Sequence, residues 1–252
     1  MRTFFVILTS LYSVLALGQT PNGSSLSLSG APLVTPDSGV CARSILFLPQ
    51  LHEDQLTGLN SAALTKMISQ SQFAIATELL KHSNAPVFSE GTYAIMDLDW
   101  YRKNADDSES TIQKYKNAFP VGLPKSYSEM TVDQTYKIAK AGGDLTLLLL
   151  GLIPRIYPVA TDATAEDNFF KISQAWLQAH PGHDFSEDPQ MDYIAMTRRE
   201  RLALQQVDDF FAKNQNQNEV ILIFGSNHVF TKYPDLFDPK CIRTGHTDVS
   251  EH

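Results

Sequence analysis

Residues 220–228 read V-I-L-I-F-G-S-N-H, an unbroken apolar run closed by Gly225 and then His228. An apolar run of this length, rich in β-branched and aromatic residues and bounded by turn residues, predicts a strand buried on both faces. Its last turn would carry His228 to the rim of a sheet. A shorter run at 44–48, S-I-L-F-L, meets Pro49. It predicts a buried strand that stops at Leu48, with Gln50, Leu51, His52 and Glu53 on the loop beyond. Over 60–82, Leu64, Met67, Ile68, Phe73, Ile75, Ala76, Leu79 and Leu80 recur at roughly helical spacing, uninterrupted by Gly or Pro. Asn84-Ala85-Pro86 breaks that helix. The stretch P-V-F-S-E-G at 86–91 predicts a second strand that ends at Glu90 and turns at Gly91.

Strand, long helix, strand is the minimal parallel unit, and it brings both strand ends to one side of a sheet. Glu90 and the His52 loop are therefore expected at one carboxyl edge, where open α/β sheets place their sites. The middle of the chain predicts helices over 110–118 and 131–150. Gly142-Gly143 inside the second costs helix stability, so close packing is expected there. The apolar run 145–150 is too short to span a membrane. A strand is expected near 155–160, held to an edge or kept short by Pro158, with Asp162 following it. An amphipathic helix over 166–179 ends at His180-Pro181-Gly182-His183-Asp184, an exposed turn whose side chains could hold a metal. A long helix over 191–214 carries Arg198, Arg199 and Arg201. The expected fold class is α/β, a single domain with a mostly parallel central sheet flanked by helices and its site at the carboxyl edge of the strands.

Composition narrows this picture. The chain has 252 residues, 43% hydrophobic and 19% charged, as in a soluble globular protein. A net charge of −8 without a basic patch argues against a nucleic-acid partner. The segmentation expected is 1–18 signal peptide, 19–40 flexible leader and 41–252 folded domain. Arg2, the apolar stretch 4–17 and Ala16-Leu17-Gly18 form an export-signal pattern, and 19–39 is rich in Ser, Gly, Pro and Thr. A secreted or periplasmic location is thus expected, with no transmembrane segment after cleavage. In that setting Cys41, just before the first strand, and Cys241, just after the last expected strand, could pair, although spacing alone does not bring them together.

Several familiar motifs are missing. No G-x-S-x-G, G-x-G-x-x-G or Walker A sequence occurs, and His52-Glu53 fails as H-E-x-x-H because residue 56 is Leu. What remains is a distributed set, His52, Glu53, Glu90 and His228, each at or just past the end of an expected buried strand. Histidine and carboxylate brought together suit acid–base chemistry or metal ligation. Arg198 or Arg199 could bind an oxyanion, or lie on a solvated helix face paired with Glu200. Trp100 and Tyr101 either line a pocket or pack.

With these residues in place, the chain resembles the superfamily of the ChaN haem-binding proteins, the TraB and Tiki proteins and the erythromycin esterase-like enzymes. The matching stretches are L-F-L-P-Q-L-H-E at 46–53, V-F-S-E-G at 87–91, R-R-E-R-L-A at 198–203 and I-F-G-S-N-H at 223–228, in the family's order. Pro49 stands where the family's first glycine usually does. The resemblance implies a site of His52, Glu90, one of Arg198 and Arg199, and His228, with Glu53 added by adjacency. It implies either a hydrolase of ester or amide bonds, with a divalent metal at His52, Glu90 and His228, or a non-catalytic haem- or metal-binding protein. The partner is then a small-molecule or peptide substrate, or the haem itself.

Overall fold

The computed structural model describes residues 41–51, 62–159, 171–173, 175–183 and 187–245. The export-signal pattern, the leader, His52, Glu53, Asp162, Asp184, His246 and His252 lie outside the described residues. Five strands form one sheet in the order β3-β2-β4-β1-β5, and every pairing is parallel. They are β1 Ser44–Gln50, β2 Val87–Ser89, β3 Ile156–Pro158, β4 Glu219–Gly225 and β5 Ile242–Thr244. This is the single α/β domain expected, with the sheet wholly rather than mostly parallel.

Alternation along the strands sorts the core into two layers. Leu46, Leu48, Val87, Ile156, Ile221 and Ile223 face one layer of helices. These are α1 Ala62–Lys81, α2 Leu98–Asn104, α3 Ser108–Ala118, α4 Val132–Ala141 and α5 Gly143–Leu150. Ile45, Phe47, Phe88, Val220, Leu222 and Phe224 face the other way, onto Ala203, Leu204, Val207 and Phe211 of α6 Arg198–Lys213 and onto Phe230, Tyr233 and Phe237. The connections β1–β2 and β2–β3 run outward along the sheet over the first face. The helix Arg198–Lys213, within the β3–β4 connection, and the segment between β4 and β5 pack on the second. Reversing direction while keeping one hand of crossover moves the connecting elements to the opposite face. β4 is thus inserted between β1 and β2, and the chain leaving it departs to the face opposite those leaving its neighbours. That is the switch-point arrangement at which parallel sheets open a crevice.

Three expectations are corrected. First, β1 does not stop before Pro49 but runs on to Gln50, with Pro49 in register with Phe224 of β4. The Ser44 N–H bonds Asn218 and the Gln50 carbonyl accepts from Ser226, on the β4 side, whereas the Phe47 carbonyl accepts from Gly245, on the β5 side. By this parity Pro49 turns its missing donor toward β5, whose pairing ends at Thr244 opposite Phe47, so no ladder bond is lost.

Second, residues 131–150 form two helices, not one. Thr131 opens α4 with a capping box to Gln134, and Gly142, at φ +87°, breaks the chain before α5. The close approach expected at the glycine pair is present. A Cβ at Gly143 would stand 2.3 Å from the Gln72 carbonyl oxygen of α1.

Third, a fifth strand follows Cys241, which therefore does not lie after the last strand. Cys41 and Cys241 are joined in a disulfide with Cα atoms 5.6 Å apart. Both sit at the amino ends of the adjacent strands β1 and β5, so the clasp lies across the sheet from the carboxyl edge. β4 lies between β1 and β2 in the sheet, and the ends of both emerge at one carboxyl edge. The expected edge strand at Pro158 is β3, three residues long. Among the described residues no helix is long and apolar enough to cross a membrane.

Candidate functional site

Two strand ends and the start of α6 meet at the carboxyl edge. Continuing the alternation of β2, Glu90 follows Phe88 onto the α6 face. Its backbone N–H bonds the Ile223 carbonyl, which keeps it in register with Phe224. The Gly225 N–H donates to Glu90 Oε2 at 2.6 Å, and Arg199 Nη2 lies 2.8 Å from Glu90 Oε1. The guanidinium also lies over the Phe224 ring, 5.3 Å from its centroid.

His228 follows three residues after Gly225, in a turn closed by its N–H to the Gly225 carbonyl. Its ring stands edge-on to Phe224 at 4.6 Å between centroids. His228 Nδ1 lies 3.2 Å from Glu200 Oε1, and Nε2 lies 3.7 Å from Glu90 Oε1. A carboxylate only accepts, so Nδ1 carries the proton of that first bond, and Nε2 is the atom left to take up or release one. The imidazole therefore stands between two carboxylates whose side chains are both 0% exposed.

Glu200 holds this arrangement together. Besides His228 it accepts from the Val229 N–H at 2.8 Å and from the Tyr233 hydroxyl. Burial pushes the Glu200 carboxyl up, but the bonds from His228, Tyr233 and Val229 outweigh it and hold the group below the ordinary carboxylate value. The Tyr233 phenol is pushed up to about 12 by burial and by its bond to the Glu200 carboxylate, so it is a donor at neutral pH. The next residue, Arg201, makes two bonds to Asp235 and lies 5.5 Å over the Tyr233 ring. Successive residues of α6 thus fasten the segment after β4 and aim His228.

The helix reaches this position through a turn Pro189–Asp192, capped by Asp188, and a π-helical stretch Tyr193–Thr197. Such widened turns shift the phase of a helix and are frequent beside functional sites. On the other flank, the end of β1 is fixed by α1. Ser71 Oγ accepts the Leu51 N–H at 3.2 Å, and Gln72 Nε2 donates to the Leu51 carbonyl at 2.7 Å. Gln72 Oε1 in turn accepts the Gly143 N–H at 2.8 Å.

Of the residues singled out in the sequence, Glu90, Arg199 and His228 are brought together. Arg198 is exposed, which resolves the choice between the two arginines. Arg199 and Glu200 are buried rather than lying on a solvated face. Glu200 bonds His228, Val229 and Tyr233, and Arg199 meets Glu90. Trp100 and Tyr101 pack into the α1–α5 layer. Glu200 and Tyr233 were missed as site residues. The signal for Glu200 was present, because it falls in phase with Ala203, Leu204, Val207 and Phe211 on the apolar stripe of its helix. A carboxylate on such a stripe must be paired. Nothing local marks Tyr233.

Among the described residues no three His, Cys, Asp or Glu side chains form a metal-binding group. Both Glu90 oxygens already face donors, so a divalent ion there would share the carboxylate with a guanidinium. Compared with protein-family models, with curated proteins and with solved structures, the chain finds no match.

Proposed function

We propose that the protein is an exported hydrolase of ester or amide bonds in a small-molecule or peptide substrate, and that its chemistry is acid–base. The observation that carries this reading is the His228 imidazole set between Glu200 and Glu90 at the carboxyl edge of a parallel sheet. Glu200 orients the ring, as the carboxylate of a catalytic dyad does. Nε2 and Glu90 then handle the proton of an attacking water and of the leaving group. Arg199 holds Glu90 in place through its ion pair. The proposal extends to His52 and Glu53, next in the chain after the anchored Leu51, which lie outside the described residues. The export pattern at the amino terminus and the disulfide support an oxidising compartment.

Haem ligation is the weaker reading, since His228 Nδ1 is bonded to Glu200 while Nε2 faces Glu90, and an iron would have to displace that carboxylate. The test is a panel of ester and peptide substrates with wild type, His228→Gln and Glu90→Gln. Both substitutions are expected to lower kcat by at least about 100-fold, the scale of a lost general acid–base group, with unchanged far-UV circular dichroism. Wild-type turnover in a folded His228→Gln protein would overturn the reading. Activity that survives EDTA is expected from acid–base chemistry, and activity abolished by EDTA and restored by a divalent ion would move the assignment to metal hydrolysis.

A further inference from the structure

Away from that site, the turn between residues 176 and 188 carries a second constellation. We infer that His180 and His183 form a binding site for a late first-row transition ion, a class for which Cu2+ is the probe. The residues stand on either side of Pro181-Gly182, with Gly182 at φ +85°, a conformation that favours glycine. This turn folds residues three apart onto one another, and the two ring centroids lie 6.4 Å apart with planes at 87°. Two imidazoles on one ion, at metal–nitrogen distances of about 2.0–2.1 Å, place their centroids roughly 5–6 Å apart. Both side chains are exposed, so the rings can turn toward a shared ion.

The outer contacts decide the matter. His180 Nδ1 bonds the Trp176 carbonyl at 2.9 Å, and His183 Nδ1 bonds Glu187 Oε2 at 2.7 Å. Both partners accept only, so each Nδ1 donates and each Nε2 is the ring atom left to ligate a metal. A backbone carbonyl and a carboxylate behind the ligating rings are the outer-shell partners that metal-bound histidines use, and they raise ligand basicity. Glu187 and Asp188 add negative charge. Hydrogen bonds from the Trp176 indole and from the N–H groups of Gln190 and Met191 hold Asp188 below the ordinary carboxylate value. Two imidazoles select ions that favour nitrogen, with Cu2+ bound most tightly, and water would complete the coordination shell.

Trp176 supplies the readout, because its ring stacks on His180 at 4.6 Å. Titration of the whole protein with CuCl2 is expected to quench tryptophan fluorescence saturably, with one ion bound at the midpoint-determining site by calorimetry. His183→Ala leaves the Trp176–His180 stack in place and is expected to raise the midpoint tenfold or more. Glu187→Gln should raise it about tenfold, the lower end of outer-shell effects on metal affinity. A His183→Ala protein that is quenched with the wild-type midpoint would overturn the inference. So would a His180→Ala/His183→Ala protein that still binds one equivalent with wild-type affinity by calorimetry, which does not depend on the stacked ring.

Discussion

Replacing Arg199 with Met tests whether the carboxyl-edge cluster is held by charge. Met keeps most of the aliphatic volume over Phe224 while removing the guanidinium that lies 2.8 Å from Glu90. The Glu90 side chain is 0% exposed, so the anion loses its cation without gaining water. Breaking one partner out of a buried pair costs about 3–5 kcal/mol. Loss of the contact with Phe224 adds about 0.5–2 kcal/mol. Against a typical domain stability of about 5–15 kcal/mol this is a large fraction. At roughly 2–4 °C per kcal/mol for a chain of this size, Tm should fall by at least about 6 °C. Glu90→Gln introduced into the same background removes the stranded charge while its side-chain oxygen still accepts from Gly225. The Arg199→Met/Glu90→Gln protein should therefore be more stable than Arg199→Met alone. The assay is guanidinium denaturation of all four members of the cycle. Additive effects, or an Arg199→Met protein within about 0.5 kcal/mol of wild type, would refute the argument, since that is the scatter expected for uncoupled sites.

The depressed Glu200 carboxyl has a definite pH signature. A folded-state value below the unfolded one, ordinarily about 4.3, contributes stability above that value and loses it as pH falls through the folded one. The stability gap between wild type and Glu200→Gln should thus be widest near neutral pH and shrink below about pH 4. A gap that is flat from pH 7 to pH 3 would contradict this. Gly143→Ala should destabilise by at least about 1 kcal/mol despite the better helix propensity of alanine, because the new methyl meets the Gln72 oxygen and Ala76 nitrogen at 2.3 and 2.9 Å. An unchanged denaturation midpoint would show that α1 and α5 separate freely. Cys41→Ser opens a closure of 200 residues, for which the chain-entropy relation gives about 5 kcal/mol. A loss of 2 kcal/mol or more is expected, matched by reductant on wild type, and a midpoint insensitive to both would exclude the clasp.

Local pattern was enough for much of the architecture. The apolar runs at β1 and β4 and the helical spacing of α1 and α6 are set by nearest neighbours, and so is the extended-then-turn character of residues 86–91. Burial on both faces leaves a continuous apolar run, and burial on one face leaves a 3.6-residue stripe, so both can be read without a partner. The parallel logic of β1–α1–β2 also stands, and with it Glu90 at the carboxyl edge. Local pattern misled at Pro49, whose acceptability depends on β5 ending opposite Phe47. It also missed β5, three residues long, whose strand character comes from pairing with β1 and from the disulfide beside it.

The sequence by itself determined which residue types are offered to the rim: a glutamate after β2, a histidine after β4, and arginines carried on a helix. Only the tertiary structure decided that β4 enters between β1 and β2, which brings Glu90 and His228 within reach of each other. It also chose Arg199 over Arg198, and it turned Glu200 from an expected surface partner of arginine into the anchor of His228. The reason is physical. Strand order and helix phase are fixed by packing between segments more than a hundred residues apart in the chain, and no local periodicity encodes that packing. The residues at the site gain their roles from burial and pairing, which exist only once the sheet has closed around β4.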